Sequence, residues 1–211
     1  MLCLLSLYLP VSITYLVGGV MTPPYNVHNR QFTLSNPPLL CYDIPKGVDT
    51  MDDLYFMDEA LKLAKEAFDD GEVPVGCVIT RGDEIVGRGR NRREKDKSAL
   101  AHAEIEAINE ACKNLDGWRL WECTLYVTLE PCPMCAGAII NARIPRVVYG
   151  ASDAKCGAAG SVCSLFSMAF NHHPKVECGI REEEAAGLLS DFFQKLRIEL
   201  RSRPKWKPRQ Q

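Results

Sequence analysis

The sequence predicts an α/β protein in which a central mixed β-sheet carries helices on both faces. From residue 51 onward, segments with the apolar spacing of helices alternate with short apolar segments typical of buried strands. The 211-residue chain is 46% hydrophobic and 25% charged, an ordinary composition for a single well-packed domain. No internal repeat is visible, which excludes the repeat architectures.

The first predicted elements are a helix and a β-hairpin. Apolar residues recur at helical spacing from Leu54 to Phe68, and Gly71 ends the pattern. The segments PVGCVIT (74–80) and EIVGRGR (84–90) then flank the turn RGD, an arrangement that predicts two antiparallel strands.

Helices and strands continue to alternate through the rest of the chain. The remaining predicted elements, in chain order, are a helix over AHAEIEAINEACKNL (101–115), a strand CTLYVTL (123–129), a helix from Pro131 to about Ala142, a strand RVVYG (146–150), a strand KVECGI (175–180) and a helix REEEAAGLLSDFFQKLRIEL (181–200). In the last of these, Phe192 and Phe193 are adjacent and point in different directions, so we expect one of them in the core.

The first fifty residues differ in composition from the rest. The segment MLCLLSLYLPVSITYLVGGVM is apolar and uncharged, but it lacks the basic start of a signal peptide and is interrupted by Pro10. The segment from Met51, MDDLYFMDEALKLAKEAF, opens like an independent domain. We therefore expect residues 1–50 to be an extension that is disordered or stems from a misassigned start codon. A membrane-associated leader is the rival interpretation.

Charge is concentrated at the other end of the chain. The formal net charge is −2, so there is no global nucleic-acid signature, yet residues 195–211 hold seven Lys or Arg against one Glu. These patterns predict a folded domain over residues 51–197, followed by a basic tail over residues 198–211.

Ten cysteines do not indicate a disulfide scaffold here, because that pattern belongs to short secreted chains that lack a large core. Most of the cysteines lie inside apolar runs, as expected for a reduced cytosolic protein. The small core residues predicted on this basis are Cys77, Cys112 and Cys123, together with Cys156, Cys163 and Cys178.

One pair of cysteines has the spacing of metal ligands. In LEPCPMC, Cys132 and Cys135 lie at the start of a predicted helix, where free N–H groups and the helix dipole favour thiolates. His102 lies at the start of the preceding helix, and the other three histidines lie in the N-terminal extension or in a polar loop. The joint pattern of His-x-Glu and Pro-Cys-x-x-Cys favours zinc over a redox function.

Three protein ligands leave a fourth position open for water, which is typical of a catalytic zinc site. A neighbouring carboxylate is then needed as a base, and Glu104 is available two residues after His102. Side chains two apart on a helix do not share a face. Both residues can therefore serve one site only if that site lies beyond the helix end.

Several segments resemble one known family. These are GEVPVGCVI, GRGRNRRE, AHAEIEAI, WRLWECTLYVTLEPCPMCAGAIINARIPRVVYGASDAKCGAAGS and LLSDFF. Together they are similar to the bacterial tRNA-specific adenosine deaminases, within the zinc-dependent cytidine and deoxycytidylate deaminase superfamily. The resemblance runs from Met51 to about Leu196.

The resemblance implies a three-layer cytidine deaminase-like fold and hydrolysis of adenosine to inosine at wobble position 34 of a tRNA anticodon. It implies one Zn²⁺ per subunit held by His102, Cys132 and Cys135, a zinc-activated water as nucleophile, and Glu104 as proton shuttle. The same resemblance places Asn91 and Asp153 at the substrate. From the residues alone, a loop-capping Asn is the preferred interpretation at position 91, and a turn-forming Asp is an equally good one at position 153. It further implies a cytoplasmic homodimer that acts on an arginine tRNA without stable membrane association.

Two other functions remain open from the sequence. A zinc deaminase of a free nucleobase or nucleotide, of guanine or cytosine type, would share the zinc motif but has less need of a basic tail. A non-enzymatic RNA-binding module with a vestigial zinc site is disfavoured by the presence of Glu104.

Overall fold

The computed structural model describes residues 42–43 and 51–202. Helices and strands alternate along these residues as the sequence predicts. In chain order the elements are β1 (Tyr42–Asp43), α1 (Met51–Asp69), β2 (Gly76–Arg81), β3 (Glu84–Arg90), α2 (Arg93–Asp96), α3 (Ala103–Asn114), β4 (Cys123–Leu129), α4 (Pro133–Ala142), β5 (Arg146–Ala151), a 3₁₀ turn (Leu165–Ser167), β6 (Lys175–Cys178) and α5 (Glu182–Ser202).

The strands form one mixed sheet in the order β1-β6-β5-β4-β2-β3. The β2–β3 hairpin is antiparallel and turns through Gly82, and β2 also pairs antiparallel with β4. Strands β4, β5, β6 and β1 are mutually parallel, because α4 provides the crossover that a parallel β4–β5 connection requires. The predicted mixed sheet is thereby confirmed.

Helices cover both faces of the sheet, as predicted. Successive strand residues point to opposite faces, and on the three central strands both sets are buried. On one face, Val78, Tyr126 and Val148 pack with Phe56, Met57 and Ala60 of α1. On the other face, Ile79, Leu125 and Val147 pack with Ala107 and Ala111 of α3 and with Ile139 of α4.

Helix α3 lies unusually close to strand β3. A Cβ atom added at Gly89 would lie 2.0 Å from the carbonyl oxygen of Ala103, so only glycine permits this approach. Ala103 is the first residue of α3. The close contact therefore fixes where the N-terminus of α3, with His102 before it, meets the sheet.

Two predicted helix starts are wrong by two residues. Helix α3 begins at Ala103 and α4 at Pro133, because His102 and Cys132 have extended backbone conformations, with ψ of 152° and 171°. Both residues precede the first turn of their helix and do not lie within it. The short helix α2 was not predicted, and α5 continues to Ser202, so the predicted tail begins as helix.

Residues 1–41, 44–50 and 203–211 lie outside the described residues. The predictions for these parts of the N-terminal extension and of the basic tail therefore stay predictions, whereas Tyr42 and Asp43, inside the predicted extension, pair with β6. Among the helices that are described, none is long and apolar enough to span a bilayer.

The predicted core placement holds for most cysteines and is wrong for one. Cys77 and Cys123 are buried, and Cys112, Cys163 and Cys178 are partly buried against the core. Cys156 is exposed because the loop after β5 carries it to the surface. Of the adjacent phenylalanines, Phe192 is buried and stacks edge-on against Phe68, whereas Phe193 is 41% exposed.

Candidate active site

The three predicted metal ligands come together between the N-termini of α3 and α4. His102 Nδ1 lies 3.7 Å from Cys132 Sγ and 3.5 Å from Cys135 Sγ. The three ligand atoms all lie within 4.8 Å of one another. Two sulfur atoms and one imidazole nitrogen are donors that zinc prefers, and a set of three leaves one tetrahedral position for another ligand. The donor set therefore fits zinc.

The position of Cys132 favours its thiolate form. The Cys135 thiol, His102 and the backbone N–H of Cys135 all form hydrogen bonds to its sulfur, and they lower the pKa of Cys132 to about 4. The bond to Cys132 also raises the pKa of His102, and the Cys135 thiol, which donates to Cys132, has a raised pKa. The helix start thus stabilises the Cys132 thiolate, whose negative charge suits a metal cation.

Glu104 lies in the first turn of α3, beside these ligands. Its side chain is 4% exposed, and burial raises the pKa of this carboxyl to about 7. The charge of Cys132 raises the pKa further, while the charge of His102 lowers it. A carboxyl with a pKa near 7 can both accept and release a proton at neutral pH. Because His102 precedes the helix, it reaches the same site as Glu104 despite their spacing.

His102, Cys132 and Glu104 line a cavity of about 500 Å³, and the buried Cys135 lies beside the first two. Its walls come from the turn before β2, the segment after β3, the starts of α3 and α4, the loop after β5, and α5. Asn91 and Asp153, the two residues expected at the substrate, both line it. The cavity also includes the exposed residues Phe193 and Cys156.

Asn91 is held from the side away from the cavity by Glu72, a carboxylate that was not predicted to belong to the site. The Asn91 amide nitrogen donates to Glu72 at 3.3 Å. Glu72 is 2% exposed and also accepts the backbone N–H groups of Glu94 and Lys95, at 3.2 and 2.7 Å. Glu72 therefore attaches the segment that carries Asn91 and α2 to the turn after α1.

The loop that carries Asp153 is organised around a second buried carboxylate, Glu130. Glu130 accepts the backbone N–H groups of Asp153, Ala159 and Ser161, and it also accepts the Ser161 hydroxyl. A Cβ atom at Gly157 would lie 2.2 Å from its carboxylate, so the loop closes around Glu130 only with glycine there. Asp153 itself accepts the N–H groups of Lys155 and Cys156, which makes it the turn-forming residue that the sequence also allowed.

Sequence reasoning missed Glu72 and Glu130. Each acidic residue stands next to an apolar segment and one or two residues before a proline, in GEVP and LEPC. This local signal hardly distinguishes a buried acidic residue from an exposed one. The groups that donate hydrogen bonds to Glu72 and Glu130 lie more than 18 residues away in the chain, so no local pattern reveals them.

Comparison with known proteins gives consistent matches. The family model of the MafB19-like deaminases matches residues 51–197. The tRNA-specific adenosine deaminase of Bacillus subtilis is 51% identical over 149 residues, which cover 70% of this chain and 92% of the relative. A solved structure from a study of A-to-I editing by tRNA:A34 deaminases at the wobble position is 45% identical, with a TM-score of 0.62, and covers 64% of this chain and 99% of that one. A guanine deaminase from Nitrosomonas europaea, 22% identical with a TM-score of 0.54 over 78% of this chain and 97% of that one, shares the fold.

Proposed function

The chain belongs to the MafB19-like deaminase family, and we propose that it acts as a tRNA adenosine deaminase at anticodon position 34. It hydrolyses adenosine to inosine in the anticodon and releases ammonia. The observation that carries this proposal is the cluster of His102, Cys132 and Cys135 at a cavity that the buried Glu104 also lines. The relative that is 51% identical over 149 residues, a tRNA-specific adenosine deaminase, supports adenosine in tRNA as the substrate.

His102, Cys132 and Cys135 would hold Zn²⁺, one ion per subunit. When bound, the ion supplies Lewis acidity that lowers the pKa of a water molecule toward neutrality. Glu104 takes a proton from the attacking water and delivers it to the purine ring as the C–O bond forms at C6. It then takes the remaining proton of the new C6 hydroxyl and delivers it to the amino group, which leaves as ammonia while C6 becomes a carbonyl. A carboxyl with a pKa of about 7 suits this shuttle, because neither protonation state is strongly disfavoured.

Asn91 and Asp153 lie on different walls of the cavity and are our proposed substrate contacts. Asn91 is buried and offers an amide group, whereas Asp153 is half-buried at a turn. Both Asp153 carboxylate contacts with backbone N–H groups use the same oxygen, Oδ1, so Oδ2 is the atom we assign to the substrate.

The wider assignments extend this proposal. We expect a cytoplasmic homodimer that binds the anticodon stem-loop of an arginine tRNA without stable membrane association. We also propose that residues 51–197 form the deaminase domain, with residues 1–50 as a dispensable extension and residues 198–211 as a basic tail. A chain starting at Met51 should fold and be as active as the full chain. Deleting residues 198–211 should flatten the salt dependence of RNA binding, since fewer counterions are released.

The decisive experiment is inosine mapping in total tRNA after incubation with the purified protein. Free adenosine, free guanine and free cytosine nucleotides are assayed in parallel for release of ammonia. Inosine at position 34 with no release of ammonia from the free compounds supports the proposal. Deamination of free guanine or cytosine compounds without inosine in tRNA would favour the alternative, a deaminase of small nucleobases or nucleotides.

A further inference from the structure

Glu72 is a buried carboxylate that contacts the cavity only through another residue. It does not line the cavity itself, whereas its hydrogen-bond partner Asn91 does. All three of its recorded partners are N–H donors, from the Asn91 side chain and from the backbone of Glu94 and Lys95. Among the described residues it forms no ion pair with a Lys or Arg side chain, so backbone and amide N–H groups satisfy its charge.

This contact decides which way the Asn91 amide points. An ionised carboxylate can only accept hydrogen bonds. The group of the Asn91 amide that faces Glu72 must therefore be the NH₂ and not the oxygen. The amide oxygen then points away from Glu72, and no donor within the described part of the chain bonds to it. The backbone of Asn91 is fixed as well, because its N–H donates to the carbonyl oxygen of Val75 at 3.0 Å.

We propose that Glu72 is a positioning residue for deamination. It holds Asn91 so that the amide oxygen faces the cavity and accepts a hydrogen bond from an N–H or O–H group of the bound nucleotide. This inference rests on the proposed function, since it needs a nucleotide in the cavity. Because the Asn91 oxygen is an acceptor, it favours nucleotides that present a hydrogen-bond donor to it. A nucleotide with only acceptor atoms at this position would leave the Asn91 oxygen unpaired and would bind less well.

The polarity can be tested by exchanging the two side-chain groups. In Asn91→Asp, two carboxylates face each other and the hydrogen bond is lost, so kcat/KM for an anticodon stem-loop should fall at least about tenfold. Adding Glu72→Gln places an NH₂ donor opposite the new aspartate, at the position of Glu72 Oε2, and leaves the other aspartate oxygen toward the cavity. The Glu94 N–H, which bonds to the same Oε2, loses its acceptor, so the recovery should be partial. The double variant should therefore recover at least about fivefold in kcat/KM over Asn91→Asp alone.

The matched control is Glu130→Gln, the same substitution at the other buried carboxylate that organises a wall of the cavity. Glu130 has no recorded contact with Asn91, so combining Glu130→Gln with Asn91→Asp should lower kcat/KM further and give no recovery. Zinc content and thermal unfolding are measured for every variant, so that changes in folding are separated from changes in rate.

If Glu72→Gln does not fold, the pair Glu72→Asp and Asn91→Gln replaces it. Shortening one side chain and lengthening the other keeps charge and polarity, so the pair should recover activity that Glu72→Asp alone loses. If the wild-type enzyme is active and the double variant recovers no kcat/KM over the single variant, Glu72 does not have the positioning role. Wild-type protein that makes no inosine at all would instead overturn the proposed function.

Discussion

Carboxylates are buried in two regions of this domain, and the two regions stabilise them differently. Beneath α1, the Arg146 guanidinium bonds to both Asp53 and Glu177, at 2.8–3.0 Å, and the Tyr126 hydroxyl donates to Asp53 at 2.7 Å. Around the cavity, the buried glutamates Glu72, Glu104 and Glu130 form no ion pair with Lys or Arg among the described residues.

The difference matches what each region does. Arg146 favours the ionised form of its partners and lowers the pKa of Glu177. At the cavity, Glu104 has no such cation, and burial raises its pKa to about 7. A carboxyl neutralised by arginine stabilises the fold but is a poor proton shuttle, whereas an unpaired one costs stability and can exchange protons at neutral pH.

The largest effect should follow from removing a metal ligand. Cys132→Ser should lose zinc, deaminase activity and much of the fold stability, because metal binding and folding are coupled. Cys156→Ser is the matched control, because Cys156 lines the cavity outside the ligand cluster, and it should keep its zinc. Elemental analysis and thermal unfolding measure both effects. Full zinc occupancy in Cys132→Ser would remove it from the ligand set.

Glu104→Gln should separate chemistry from stability in the cavity. Turnover should fall by about 10²–10⁴-fold, because the amide cannot shuttle protons, while zinc content and RNA affinity are kept. The melting temperature should stay the same or rise, because a costly buried carboxyl is removed. Glu106→Gln, on the half-buried part of the same helix, should change turnover by less than about threefold. Single-turnover inosine formation measures the rates, and an active Glu104→Gln enzyme would contradict the assigned role.

Arg146→Met should lower stability and keep turnover, the opposite of what is expected for Glu104→Gln. It leaves Asp53 and Glu177 buried without their shared cation, so the free energy of unfolding should fall by about 3–5 kcal/mol. The rate of the folded fraction should be nearly unchanged. Lys175→Met is the control, since Lys175 is an exposed second partner of Glu177 and should contribute only about 0–1 kcal/mol. Urea unfolding measures both variants, and equal losses would contradict the comparison.

The smallest effect concerns pH. Since Arg146 holds the pKa of Glu177 below its ordinary value of 4.5, the ionised carboxyl stabilises the folded state above that value. This contribution is lost as the pH falls below 4.5 and through the lowered pKa of the folded state. The free energy of unfolding should therefore decrease as the pH falls through this range. The decrease should be smaller in Glu177→Gln than in the wild-type protein. Urea unfolding at several pH values measures the slope, and identical slopes would show that Glu177 is not linked to stability.

The predictable parts of the structure are those with local signals. Glycine and apolar spacing placed the β2–β3 hairpin correctly, and the identity of the three clustered ligands followed from two short motifs. The starts of α3 and α4 were misplaced by two residues, because the extended backbone of His102 and Cys132 depends on what lies beyond each helix end. Cys156 was misplaced because an apolar neighbourhood in the chain does not decide whether a loop is covered.

Patterns in the sequence were enough to predict the order of the helices and strands from α1 to α5 apart from α2, the burial of the central strands, and the residues available for a metal site. These follow from periodicity and spacing, which act between near neighbours in the chain. The burial of Glu72 and Glu130 around the cavity depends on the tertiary structure. The same is true of the ion pairs by which Arg146 joins Asp53 to Glu177. Their partners lie 19 to 93 residues away, so whether an acidic side chain is solvated, paired or left to exchange protons depends on which distant groups the fold brings to it.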